Sequence, residues 1–206
     1  MSGALLNAHG HRKYLVANER LAYIRTASLR EIHEATFLLA MIITGARISE
    51  VLALTHNRID VGENAIVFET LKRRNKKVFR SVPVPDDFVR LALLVHIDKI
   101  NIGNEARLWS WRRTTAWKLI KEVMIASDIP PTLCMPRALR HTFAVHSIQH
   151  GIPITLVQRW LGHARLETTA IYASVTGEEE RAIAARSWTS LRESFNGLLS
   201  AVVRDN

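Results

Sequence analysis

A single cysteine, Cys134, stands in the 206 residues. It excludes an intrachain disulfide and a cysteine-based metal cluster, and it fits a reducing cytoplasm. No stretch approaches the ~20 apolar residues that a membrane span needs. The greasiest run, Phe37 to Ile43, is cut short by Thr44-Gly45-Ala46-Arg47 and reads as a core helix. Met1 to Lys13 has no long apolar core behind a basic cap, so no export signal is expected. Acidic residues are in deficit: 19 Asp and Glu face 28 Lys and Arg, leaving a formal net charge of +9. A surface of that sign attracts polyanions, nucleic acid first among them. There is no glycine-rich phosphate loop, internal repeat or low-complexity tract. What is there, 48% hydrophobic and 23% charged residues, describes a packed globular chain whose length fits one domain or one domain with a short appendage, and it reads as one domain.

Up to about Ala27 the apolar pattern is weak. Leu29 to Thr44 carries helical periodicity and stops at Gly45, a favoured helix terminator. A second helix is predicted to begin near Arg47, with Ile48, Val51, Leu52 and Thr55 on one face and Arg47 and Glu50 together on the opposite or flanking one. Alternation over Ile66 to Thr70, and again over Val78 to Val84, predicts two strands joined by Lys72-Arg73-Arg74-Asn75-Lys76-Lys77, a basic hairpin. Helices are then expected at Phe88 to Ile100, behind the acidic start Asp86-Asp87, and at Thr114 to Ala126. Shorter ones follow at Leu139–His150, Pro153–Leu161 and Leu166–Ser174, and a more polar helix runs from Glu178 towards Leu199.

Four separated segments present residues suited to a phosphodiester. Arg47 and Arg140 each stand near a helix beginning, and two permanently charged, fork-shaped guanidiniums are able to clamp one phosphate. A single arginine is more often a solvated or ion-paired surface group, so the company decides. Thr44-Gly45-Ala46-Arg47-Ile48-Ser49-Glu50-Val51-Leu52-Ala53-Leu54 closely resembles the first arginine box of the tyrosine recombinase (phage-type integrase) family. Leu139-Arg140-His141-Thr142-Phe143-Ala144 resembles its second box, and Leu161-Gly162-His163 through Ile171-Tyr172 the third. The boxes stand in the family's order between Leu29 and Val175.

The resemblance implies a mainly helical α+β fold with a small antiparallel sheet. It also implies a site-specific DNA recombinase working through a 3′-phosphotyrosine intermediate, with no metal and no cofactor. Carried over residue by residue, it makes Tyr172 the nucleophile, Arg47 and Arg140 the phosphate clamp, and His163 a donor to a non-bridging oxygen. A phenol of pKa ~10 is a poor nucleophile at pH 7, so cations and donors around it suit that chemistry. Glu50 resembles the family's supporting acid, with an ordinary surface salt bridge as the alternative. Lys72 is the expected general acid of the hairpin, and Lys76 and Lys77 are alternatives because the hairpin is longer than usual. One position departs: the family places histidine three residues before the second arginine, and this chain has Arg137. A guanidinium keeps the charge and cannot accept a proton. His141 and His146 read as core or surface histidines, Tyr14 and Tyr23 as packing residues, and Trp109, Trp111 and Trp160 as core.

Arg112, Arg113, Thr115, Lys118 and Lys121 lie at the start and along one side of the helix that resembles the family's groove-facing one, with Trp117 either on that face or packed. Arg73, Arg74, Lys76 and Lys77 are further candidate DNA contacts. The expected organisation is an N-terminal extension (1–28), a catalytic domain (29–175) and a tail helix (176–206) docking on a neighbouring protomer or on its own domain. Fewer than thirty residues precede the first convincing helix. The chain thus resembles the small, catalytic-domain-only recombinases typified by fimbrial phase-switch invertases, or an excised fragment. The expected partners are double-stranded DNA, further copies up to a tetramer and accessory DNA-binding proteins, in the cytoplasm and away from membranes. A type IB topoisomerase-like relaxation enzyme and a non-catalytic DNA-binding regulator are the alternatives, and Arg137 favours the latter.

Overall fold

The computed structural model describes residues 5–7, 9–70, 78–95, 106–163 and 167–173. Eight helices and three strands follow one another among them: α1 (Ala17–Ser28), α2 (Ile32–Thr44), α3 (Ile48–Val51), β1 (Ile59–Asp60), β2 (Ala65–Glu69), β3 (Phe79–Pro83), α4 (Asp86–Val95), α5 (Arg113–Ala126), α6 (Pro136–Gln149), α7 (Ile154–Leu161) and α8 (Glu167–Ala170). No helix among the described residues is long and apolar enough to cross a membrane. The expected class, mainly α with a small antiparallel sheet, holds.

Helix α2 is the axis of the fold. Its buried residues Ala35, Phe37, Leu38, Ala40, Met41 and Ile42 leave little polar face, so it packs against α1, α4 and α6 at once. Phe37 lies edge-on to Trp109 and Trp111, both with ring centres 5.5 Å away, and the Trp109 indole donates to the His33 carbonyl. The helix ends at Gly45 in the left-handed region, φ 60°, its N–H bonded to Met41 O. A Cβ there would stand 2.5 Å from the Phe143 ring, so both backbone conformation and close approach demand glycine.

The sheet is antiparallel in the order β1-β2-β3, with Ile66 opposite Val82 and Phe68 opposite Arg80. The alternation that predicts the strands also sorts β3: Phe79 and Ser81 face out, Arg80 and Val82 in. The connecting run with Lys72, Arg73, Arg74, Lys76 and Lys77 lies outside the described residues, as does the expected tail helix.

Three differences from the sequence reading have physical causes. The weak stretch before Ala27 contains α1, whose only buried residues are Tyr23 and Ala27; so sparse an apolar stripe gives little periodicity. The helix after Arg47 is one turn long: Leu52 and Ala53 already form a turn, and the Leu54 carbonyl accepts from Leu108 N–H in place of a helical partner. The last short helix is split into α8 and a 3₁₀ turn, Ile171–Ala173. Before α1, Leu5 and Tyr14 also enter the interior, where they join Ala144, Val145, Val157, Leu161 and Tyr172 in a second, smaller hydrophobic cluster.

Candidate active site

Helix α3 is short, but its position matters. Glu50 is buried at 2% exposure, on the inner side of the turn and not on a solvated flank. Its carboxylate accepts from the Arg47 backbone N–H at 2.8 Å and from Arg47 Nη1 at 2.8 Å. Arg80 donates to the same group, Nη2 at 2.7 Å and Nη1 at 3.3 Å. The surface salt-bridge reading of Glu50 therefore fails. Burial alone would raise its pKa, and the hydrogen bonds and charges of Arg80 and Arg47 outweigh that and hold it below the usual carboxylate value.

Arg80 is the residue that sequence reasoning missed. Its guanidinium is buried, donates from Nε to the Trp160 carbonyl at 2.7 Å and lies 5.0 Å over the Phe68 ring. The available signal was an arginine at an inward position of an alternating strand. Gly162 (φ 66°) packs on it, and a Cβ there would come within 3.2 Å of Arg80.

Arg140, on the first turns of α6, joins the other segments. Nη1 donates to the Gly45 carbonyl at 2.8 Å and Nη2 to the Leu161 carbonyl at 2.6 Å. These carbonyls lie two residues before Arg47 and two before His163, so one guanidinium fixes the spacing of all three boxes. Burial, followed by the Arg47 charge, lowers its pKa to about 10, still charged at neutral pH. Two guanidiniums close enough for the charge of Arg47 to be felt by Arg140 form a place for an anion.

His163 follows Gly162 and shares a hydrogen bond between Nδ1 and the buried Thr169 hydroxyl at 2.9 Å. With that hydroxyl donating, Nε2 carries the ring proton, as a donor to phosphate oxygen requires. Burial and then the charges of Arg140 and Arg47 push its pKa down to about 3. Its ring is nearly parallel to that of Tyr172, with centres 6.5 Å apart.

Tyr172 itself is 1% exposed. Burial raises its pKa, with Arg140 and Arg137 acting in the opposite sense. Its hydroxyl lies 2.9 Å from His141 Nδ1, so His141 is not the ordinary core or surface residue that its place in the sequence suggests. Arg137, one helical turn before His141, is exposed. His146 stacks on His150 instead. Tyr14 and Tyr23 are buried packing residues, as read.

Arg112, Arg113, Thr115, Lys118 and Lys121 are all exposed at the start and along the outside of α5. Trp117 is exposed with them, and Lys121 Nζ lies 5.4 Å over its ring, so it is not a core residue. A cleft lined by Ser49, Ala53, Arg107, Trp111, Arg112 and Arg113 runs between α3 and the start of α5. Among the described residues no cluster of His, Cys, Asp and Glu fits a metal ion.

The model of the phage integrase family matches residues 14–179. This chain belongs to that family. Its match begins before Leu29 and so takes in α1. Among curated relatives, tyrosine recombinase XerD of Haemophilus influenzae is 28% identical over 179 residues, covering 81% of this chain and 59% of the relative. A resolvase of Escherichia coli is 27% identical over 196 residues, covering 79% of this chain and 71% of the resolvase. The chain thus spans about 59% of the XerD relative's length. Of solved structures, XerA recombinase superposes with TM-score 0.71 at 24% identity, over 87% of this chain and 65% of that one. The catalytic domain of bacteriophage HP1 integrase gives 0.58 at 22% identity, over 86% and 96%, and XerH bound to its difH substrate 0.69 at 17%, over 89% and 59%. The shared fold is that of the family's catalytic domain.

Proposed function

We propose that this chain cleaves and rejoins double-stranded DNA at specific sites, with Tyr172 as nucleophile. The observation that carries the reading is the Arg140 guanidinium, bonded at once to the backbone before Arg47 and before His163. It gathers two cations, a neutral imidazole and a phenol from four chain segments around one point. A phosphodiester needs that set: cations for the charge that grows on phosphorus, a donor for a non-bridging oxygen and a nucleophile. Arg47 and Arg140 clamp the phosphate, His163 donates to it, and Glu50 with Arg80 holds Arg47 in place. Lys72 serves as general acid for the leaving 5′ oxygen. Arg137, retained in charge though unable to accept a proton, adds to the field on the phosphate.

Binding runs over the exposed basic side of α5, the cleft beside α3 and the Arg73 to Lys77 hairpin. Family relatives support this partner, since XerH and the Tn1549 integrase have been solved with DNA. Assembly up to a tetramer on DNA, with residues 176–206 docking between protomers and accessory DNA-binding proteins assisting, completes the reading, and the cytoplasm is its place of action.

The test is a nicked suicide duplex from the protein's own genetic neighbourhood, with formation of a denaturation-resistant protein–DNA adduct as readout. Wild type is expected to form it and Tyr172→Phe to form none. A bound duplex that yields no adduct with wild type leaves a DNA-binding regulator in place of a recombinase.

A further inference from the structure

The departure at Arg137 leaves the proposed reaction without an acceptor for the phenol proton at the place where the family's histidine stands. The geometry points to a substitute: we propose that His141 takes the proton from Tyr172 as the tyrosine attacks phosphorus. The proposal rests on Tyr172 being the nucleophile and names a catalytic residue for that same site.

Three observations carry it. His141 Nδ1 is 2.9 Å from Tyr172 Oη, and no other ring nitrogen among the described residues has a hydrogen bond to that oxygen. His163, the other imidazole nearby, has its Nδ1 committed to Thr169, which suits it to donating and not to accepting. Arg137 and His141 are four residues apart on α6, hence on one face of the helix, one turn from each other. An imidazole thus stands one turn from the position at which the resemblance expects a histidine, and that position carries a fixed cation.

The surroundings keep His141 unprotonated. Burial, then the charges of Arg137, Lys13 and Arg140, lower its pKa to about 4, so at neutral pH the imidazole has a free lone pair. With its proton on Nε2, Nδ1 accepts from the phenol O–H. In cleavage the Oη–H bond breaks and the proton passes to Nδ1, while Oη bonds to phosphorus. The bond from phosphorus to the 5′ oxygen breaks, and that oxygen takes a proton from the general acid. In rejoining, the 5′ hydroxyl gives its proton back to the deprotonated general acid as its oxygen bonds to phosphorus, the phosphotyrosine bond breaks, and the imidazolium returns its proton to Oη. A DNA phosphate beside His141 favours the imidazolium by its negative charge, which raises the basicity when it is needed.

The experiment measures the rate of adduct formation on the suicide duplex at saturating protein, for wild type, His141→Ala, His141→Gln and Tyr172→Phe. Glutamine keeps a polar contact to Oη and accepts no proton. Loss of a general base is expected to slow cleavage about 10²–10⁴-fold in both histidine variants, and added imidazole is expected to restore part of the rate to His141→Ala. The loss is expected to persist on a duplex with a 5′-bridging phosphorothiolate, whose leaving group needs no proton. Near wild-type cleavage by His141→Gln, cleavage faster than wild type, or full recovery on the phosphorothiolate overturns the proposal and leaves Tyr172 untouched. An adduct from Tyr172→Phe overturns the nucleophile assignment itself.

Discussion

On one side of Arg140 a buried carboxylate sits between two guanidiniums; on the other a buried phenol sits between two neutral imidazoles. Glu50, Arg47 and Arg80 form a hydrogen-bonded ionic knot in which the carboxylate is spoken for from several directions. Tyr172 is instead joined to His141 by one hydrogen bond, lies ring to ring with His163, which is itself bonded to Thr169, and is backed by the apolar side chains of the smaller cluster. The first half is charged in advance, so its dipoles would need no reorganisation to meet the phosphate of the proposed reaction. The second is held uncharged by the same burial, which leaves the phenol proton in place for the proposed transfer. Electrostatic stabilisation and proton transfer ask for opposite states of ionisation, and the fold supplies both around one arginine.

The sharpest way to break the charged half is Glu50→Ala. Arg80 would then be a buried cation without its anion, a situation that costs about 3–5 kcal/mol. Chemical denaturation is expected to register that loss, with Glu50→Gln milder because it still accepts hydrogen bonds. A loss below about 1 kcal/mol would mean that the knot is solvated and contributes no preorganisation. Arg140→Lys comes next. A single ammonium cannot reach the Gly45 and Leu161 carbonyls in the fork geometry, so cleavage is expected to fall about 10²–10³-fold, the cost of losing one preorganised donor. DNA affinity should change far less. Adduct rates measured at saturating protein separate the two.

Gly45→Ala probes the hinge between the halves with a smaller effect. The left-handed backbone costs a β-carbon about 1–2 kcal/mol, and the methyl must also displace the Phe143 ring. A fall in melting temperature with the Arg140 contact to Gly45 weakened would slow cleavage as well; stability lost without any change in rate would place Gly45 outside the site's geometry.

How much of this was legible in the sequence differs between the halves for a physical reason. Arg47, Arg140, His163 and Tyr172 stand in boxes whose local helical spacing and order are carried by the chain itself. Partnership across the fold is not. Arg80 reaches Glu50 from thirty residues away on another element, and only its inward place in an alternating strand hinted at burial. His141 reads as an unremarkable neighbour of Arg140, because nothing local tells which turn of a helix will meet a tyrosine thirty-one residues on. Helix α1 was faint for a related reason: Tyr23 and Ala27 bury it against α2 without an apolar stripe. Lys72 was readable as the hairpin's expected general acid from its place after the first strand, Arg73 to Lys77 mainly as charge, and all of them lie outside the described residues.

Mild acid should separate the halves with the smallest change of all. His141 and His163 are held neutral in the fold, with pKa values pushed to about 4 and about 3 by burial and nearby arginines. His146 is lowered to about 4 by burial and Arg20. Unfolded histidines titrate near 6.5, so from there downwards the unfolded chain binds protons that the folded one refuses. Stability therefore falls as pH drops from 7 to 5. Glu50 contributes nothing in that window: its folded pKa lies below the ordinary carboxylate value, so its stabilisation is lost only at lower pH. Melting temperature is expected to fall by roughly a few degrees between pH 7 and 5. The fall should be smaller in His141→Gln and His163→Gln and unchanged in Glu50→Gln. A drop that both histidine variants leave intact would mean that the imidazoles beside Tyr172 titrate in the folded chain much as they do in the unfolded one, and the contrast between a charged and a neutral half would go with it.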